Sequence, residues 1–184
     1  GGGAAAADGG ARDGVSALRL ASASELLLVG HESGRVVLWD VVTGAALKAL
    51  ADVHECAVAH LRFLHPTKPY VLSADAAGNA HLLRFSRLLL AYTVSRQCLL
   101  SAETGVISAV EVLPPAPPAA ADGGSVAAAA AALGAAGEGE ALGIVALCTP
   151  LLAFVLRLSP EVGVLHRIPA PAAVPDGTLP CLAW

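Results

Sequence analysis

The sequence predicts an all-β fold: a partial β-propeller of WD-repeat type, with about three four-stranded blades and the start of another. Three observations predict it. The first is the run Leu28-Val29-Gly30-His31-Glu32-Ser33-Gly34-Arg35-Val36-Val37-Leu38-Trp39-Asp40, a strand, a tight polar turn and a second strand closing on Trp-Asp, which is the middle hairpin of a WD blade. The second is that this hairpin recurs. Gly34 and Gly78 stand 44 residues apart, within the ~40–45 of a WD repeat, and the same alignment sets Leu83 opposite Trp39. The third is the sorting of the remaining apolar runs into units of four short strands separated by turn residues.

The elements follow in order. Residues 1–14 are rich in Gly and Ala and read as a flexible N-terminus. Residues 15–184 form the propeller part. In the first unit Ser16 to Leu20 is an inner strand. Leu26 to Val29 is an apolar run expected to be buried on both faces. Arg35 to Asp40 is the third strand, with Trp39 filling the space between blades. Thr43-Gly44 is a turn, and Ala45 to Leu50 is the outer strand. Gly34 supplies the positive φ of the hairpin.

The second unit begins near His54. Val58 to Leu64 and Tyr70 to Ser73 are strands, Asp75-Ala76-Ala77-Gly78-Asn79 is a turn, His81 to Phe85 is the third strand and Leu88 to Val94 the fourth. In the third unit Val106 to Leu113 is a strand, and Gly143 to Cys148, Leu151 to Leu158 and Val162 to Ile168 are three more. A Pro/Ala/Gly-rich insertion at 114–139 breaks this unit and reads as disordered, its Ala127–Ala132 run included. A surface loop absorbs such length at small entropic cost. Leu179 to Trp184 reads as the first strand of a fourth blade. A closed propeller needs roughly 4–8 blades, and the chain has no Met, so it reads as a piece of a longer protein.

Composition narrows the function. The formal net charge is -4 and no Lys/Arg cluster stands out, which argues against a nucleic-acid partner. Cys56, Cys98, Cys148 and Cys181 are far apart. They lack the local spacing of a zinc site and read as free thiols in a reducing compartment. No basic segment followed by an apolar one marks a signal peptide. Leu142 to Leu156 is apolar, but it is short of the ~20 residues of a membrane span and is broken by Thr149-Pro150. Two buried strands around a turn account for it.

The candidate site residues are structural. His54, Ser73 and Asp75 match the His, Ser and Asp of the hydrogen-bond network that links to the Trp indole in many WD blades. Leu83 replaces that Trp in the second unit, so the network is expected to be incomplete. In the first unit Trp39 and Asp40 have no clear His or Asp partner. With Gly34 and Gly78 these are the residues expected to brace the blades. His54, His60 and His65 raise a metal hypothesis, but their spacing does not place them on one strand face, and no carboxylate pair completes a ligand set. Gly30 to Gly34 leads into a strand, not the helix a phosphate loop requires. No catalytic trio stands out, and no cofactor or metal is expected. Arg84, Arg87 and Arg96 form a modest basic set at a blade edge.

A closer likeness joins the blade pattern. The run Leu27 to Asp40, the segment Ser95-Arg96-Gln97-Cys98-Leu99-Leu100-Ser101-Ala102-Glu103-Thr104-Gly105-Val106, the stretch Ala153-Phe154-Val155-Leu156-Arg157-Leu158-Ser159-Pro160 and the ending Leu179-Pro180-Cys181-Leu182-Ala183-Trp184 resemble, in that order, the N-terminal propeller of the vacuolar protein sorting-associated protein 8 family. The insertion at 114–139 departs from the family pattern. The resemblance implies a non-enzymatic subunit of the endosomal CORVET tethering complex. It would contact other tether subunits and an early-endosomal Rab GTPase, and be cytoplasmic and peripheral on endosomal or vacuolar membranes through those partners. No motif marks a Rab-contact residue. A WD adaptor of another system, such as a ubiquitin-ligase substrate receptor, is the alternative. A hydrolase on a propeller is a second one and would need converging acid, base and nucleophile residues.

Overall fold

The computed structural model describes residues 13–66, 68–89, 91–113, 142–159 and 161–170. Among the described residues twelve strands form three antiparallel four-stranded sheets, each a simple meander in chain order. Blade one holds β1 (Val15–Leu20), β2 (Leu26–His31), β3 (Val36–Asp40) and β4 (Ala46–Leu50). Blade two holds β5 (Val58–Phe63), β6 (Tyr70–Asp75), β7 (Ala80–Leu88) and β8 (Ala91–Leu100). A 3₁₀ turn at Ala102–Thr104 leads to blade three: β9 (Ala109–Leu113), β10 (Ile144–Cys148), β11 (Leu152–Arg157) and β12 (Gly163–Pro169). The all-β, blade-by-blade expectation is met. Of the N-terminus expected to be flexible at 1–14, Asp13 and Gly14 are instead bonded to the β2–β3 turn; residues 1–12, the expected insertion at 114–139 and the expected fourth-blade strand at 179–184 lie outside the described residues.

Alternation explains the stacking. Side chains of a strand point to opposite faces in turn, and blade two is apolar on both. Tyr70, Leu72 and Ala74 of β6, with Ala80 and Leu82 of β7, join Val110, Val145, Leu147, Phe154 and Leu156 of blade three in one core. Val71, Leu83 and Phe85 turn the other way and meet Leu28, Val36 and Leu38 of blade one, with Val58 and Leu61 of β5, in a second core. Burying one such leucine stabilises by roughly 1.5–3 kcal/mol. The middle blade is therefore the shared wall of two cores.

The inner strands meet across the blades. Ser16, in the bulge of β1, donates its hydroxyl to the Val58 carbonyl at 2.8 Å. β5 bulges at the repeat-equivalent place, between Val58 and His60, and His60 Nε2 donates to the Ile107 carbonyl at 2.9 Å.

Three expectations are corrected. The Leu26 to Val29 run is not buried on both faces. Only Leu28 is fully buried; Leu26, Leu27 and Val29 are half-buried, since period two sends Leu27 and Val29 to the face away from blade two. Leu88 to Val94 is not one strand. Leu88 ends β7, Leu89 takes a left-handed φ of 54° in the turn, and β8 continues to Leu100. Leu88 and Leu89 have the composition of a strand, yet they lie at the end of a hairpin. β9 starts at Ala109, later than expected, although the Ser108 N–H still bonds the Cys148 carbonyl of β10 at 2.8 Å.

Candidate functional site

The polar residues singled out in the sequence converge at the β6–β7 turn. Asp75 is the last residue of β6 and is fully buried. Its Oδ1 accepts the backbone N–H groups of Ala77 at 3.0 Å and Asn79 at 2.8 Å. Its Oδ2 accepts the Asn79 side-chain amide at 2.8 Å. The remaining capacity of Oδ2 takes His54, whose Nδ1 stands 3.1 Å away. A carboxylate can only accept, so Nδ1 carries the proton; the Nε2 of neutral His54 then accepts the Ser73 hydroxyl, at 2.8 Å. His54 comes from the connection between blades one and two, so this chain of bonds fastens one blade's entry to its own middle hairpin.

The electrostatics follow from burial. Burial drives the His54 pKa down to about 4, against the opposing pull of Asp75, so the imidazole is neutral at pH 7. His81 packs against it with ring centroids 5.1 Å apart, and burial lowers its pKa too. Burial alone pushes the Asp75 carboxyl up, but the bonds from Asn79 and the His54 pair hold it below the usual carboxylate value.

Ser73, His54 and Asp75 thus show the bonding order of a nucleophile, base and orienting acid. They do not make an active site. Ser73 and Asp75 have no solvent exposure and His54 has 6%, so no substrate reaches the hydroxyl. The trio is a brace. The Leu83 side chain, which stands where the Trp indole was expected to end the network, is fully buried in the apolar core, and the network stops at Ser73.

Blade one lacks this brace. Trp39 is half-buried and is not part of either core. It does not lie between blades one and two, because pairing with Leu27 places it on the face away from blade two. Asp40 works locally: its Oδ1 accepts the N–H groups of Val42 and Thr43, each at 2.9 Å, and Gly44 completes that turn with a φ of 65°. The β2–β3 turn is held by Asp13, which the sequence reading did not single out. Asp13 accepts the Ser33 N–H at 3.0 Å and the Ser33 hydroxyl at 2.7 Å, and pairs with Arg35 at 3.3 Å.

Both turns depend on glycine. Gly34 has a φ of 84° and Gly78 of 102°. A Cβ on Gly34 would collide with the His54 carbonyl, and one on Gly78 with the Gly105 carbonyl. Each hairpin tip is tucked under the backbone that leads to the next blade. Asn79 was also missed in the sequence. Its Oδ1 accepts the Ala102 N–H at 2.9 Å, so one side chain ties the turn both to Asp75 and to the entry of blade three. The spacing Asp75-x-x-x-Asn79 was the available signal.

The histidines weighed as metal ligands are engaged separately. His60 bonds across to blade three, His54 sits in the brace, and His65 Nδ1 accepts the Lys68 N–H at 3.0 Å. Among the described residues no group of three His, Cys, Asp or Glu side chains is placed to hold a metal. Leu142 to Leu156 forms β10 and β11 around the Thr149 turn, and no helix among the described residues is long and apolar enough to cross a membrane. An open cleft of about 350 Å³ lies at the other end of the inner strands, between Arg19, Arg62, Phe63, Glu111 and Val112.

Comparison with known proteins agrees with this architecture. The family model for the Vps8 beta-propeller matches residues 5–184. The vacuolar protein sorting-associated protein 8 homolog of Drosophila melanogaster is 30% identical over 176 residues, which covers 92% of this chain and 12% of that protein. The homologs of Homo sapiens and Mus musculus are each 30% identical over 108 residues, 57% of this chain and 7% of theirs. The chain thus spans a small part of the length of the curated relatives it matches. Its blades, its turn glycines and the extent of the match lead to one assignment: the chain belongs to the Vps8 β-propeller family.

Proposed function

We propose that this chain is part of a non-enzymatic protein-interaction platform in the endosomal CORVET tethering complex. It acts in Rab-dependent vesicle tethering and fusion, and in transport from endosomes to the vacuole or lysosome. The observation that carries this reading is the family match over residues 5–184. The geometry supports it, since the polar cluster with a catalytic bonding order is sealed from solvent and serves as a brace. Its partners are other subunits of the tether and an early-endosomal Rab GTPase, with no nucleic acid. The protein is cytoplasmic and is held peripherally on endosomal or vacuolar membranes through those partners.

The test is recovery of the whole protein from cells, with bound proteins identified by mass spectrometry in the presence of a non-hydrolysable GTP analogue or GDP. Tether subunits are expected under both conditions and the Rab only with the GTP analogue. Recovery of a ubiquitin-ligase core without any tether subunit would replace this reading with that of an adaptor in another system.

A further inference from the structure

We propose that the cleft between the inner strands, at the end away from the glycine turns, binds a small phosphate monoester that also carries a hydroxyl or ammonium group. The cleft follows from register. Arg19 of β1 pairs with Leu28, Arg62 of β5 with Leu72 and Glu111 of β9 with Ala146. Leu28, Leu72 and Ala146 each stand two residues before the last ladder pair of the β2–β3, β6–β7 and β10–β11 hairpins. The three charged residues therefore occupy one repeat-equivalent position in three successive blades. Together they line the open cleft of about 350 Å³, which falls in the size range of small-molecule sites.

The charges of the cleft are not satisfied by one another. Arg19 is exposed and makes no hydrogen bond or ion pair among the described residues. Arg62 is half-buried, and among the described residues its one hydrogen bond goes to the carbonyl of its own neighbour, Leu61, at 3.0 Å. Glu111 is half-buried and forms no ion pair with either arginine among the described residues. Burial and the nearby Arg19 both disfavour the charge on Arg62, and Glu111 opposes them without cancelling them. Two guanidinium groups thus share one cleft, each with donors left to give.

Charge and shape select the ligand. A phosphate monoester carries ~1.5–2 negative charges at pH 7 and three acceptor oxygens, so it can take guanidinium forks from two strands at once. A planar carboxylate is matched by a single fork. Glu111 can only accept, so it calls for a hydroxyl or ammonium on the same ligand. An ammonium there also balances the set, because two arginines and one glutamate leave one positive charge for the ligand to offset. Ser22 adds an exposed hydroxyl, and Phe63 and Val112 give the cleft an apolar wall. A free small molecule and a lipid headgroup both offer this chemistry. The inference goes beyond the tether reading and does not rest on it.

The test is isothermal titration calorimetry of the whole protein with O-phosphoethanolamine, methyl phosphate and ethanolamine. O-Phosphoethanolamine is expected to saturate the protein with a Kd below about 1 mM, methyl phosphate to bind about tenfold more weakly, and ethanolamine not to bind. Arg62→Gln and, separately, Arg19→Gln are each expected to weaken O-phosphoethanolamine by about tenfold or more. Glu111→Gln is expected to erase the preference, so that methyl phosphate binds at least as tightly as O-phosphoethanolamine, a reversal that a merely structural glutamate would not produce. Arg19 is exposed, so Arg19→Gln is expected to keep the wild-type unfolding midpoint, which separates loss of binding from loss of fold. Flotation with phosphatidylcholine vesicles containing phosphatidylinositol or its monophosphate tells the two sources apart. Capture by the monophosphate alone, lost in Arg19→Gln, assigns the site to a lipid headgroup, and absence of capture beside binding of O-phosphoethanolamine assigns it to a free molecule. No saturable heat with O-phosphoethanolamine below about 10 mM, unchanged binding in both arginine variants, or an unchanged preference in Glu111→Gln would overturn the proposal. Recovery of tether subunits with the Arg19→Gln protein would leave the tether reading standing in any of these cases.

Discussion

The β2–β3 turn of blade one and the β6–β7 turn of blade two do the same work with different chemistry. Both place a glycine under the backbone of the next connection. Both take a backbone bond from the segment that enters the blade, Glu32 N–H to the Gly14 carbonyl and Ala76 N–H to the Ala57 carbonyl. Blade two then buries a histidine, a carboxylate and a hydroxyl to hold its turn, whereas blade one uses Asp13 near the surface. The repeat fixes the backbone contact and leaves the polar anchor free to vary. The consequence lies in energetics. A buried, fully bonded carboxylate is costly to disturb, and a surface ion pair is not.

The largest effect is expected from Asp75→Ala. It removes the acceptor of four hydrogen bonds and strands His54 and the turn N–H groups in a buried place, at a cost of about 1–3 kcal/mol for each buried donor left unsatisfied, readable by urea denaturation of the whole protein. Next come Gly34→Ala and Gly78→Ala, each expected to cost about 2–4 kcal/mol from a left-handed φ and a backbone collision. Their equality matters: a Gly34 cost well below that of Gly78 would mean that the two tucked turns are not equivalent.

A pH titration separates the anchors further. His54 has its pKa lowered from 6.5 to about 4 in the folded state, so the unfolded chain binds the extra proton between those values. Stability is therefore whole above about pH 6.5 and falls as the pH drops towards 4, by up to about 1.4 kcal/mol per pH unit. His81 shifts the same way. Asp75, also lowered, adds a further loss below its ordinary value of 3.8. His54→Gln is expected to flatten the upper part of this slope. The smallest effect is expected from Asp13→Ala, with no resolvable shift of the unfolding midpoint at about 1 M salt, where surface pairs are screened. A loss as large as that of Asp75→Ala would break the comparison.

Much of the architecture was legible in the sequence, because period-two alternation and the glycine spacing are local signals. Gly34 and Gly78 stand out by that spacing, whereas His54, Ser73 and Asp75 are picked out by their match to the hydrogen-bond pattern of WD blades. Three features were hidden. The place of Trp39 depends on which face of β3 meets a neighbour, and β3 alone does not reveal it. The extension of β7 and β8 was concealed because residues 88–90 have the composition of a buried strand. Asp13 acts through a partner 20 residues away, and nothing near it in the chain announces that contact.

The two ends of the blades differ in their tolerance of added length. At the glycine end the tips are wedged beneath carbonyl groups, so one inserted residue there would push neighbouring blades apart. The connection from β9 to β10, which contains the stretch 114–139, belongs to the other end. The long stretch is thus joined to the blade at the end away from the wedged glycine tips. A protein engineer grafting a tag or sensor loop into this scaffold would do well to choose that end too.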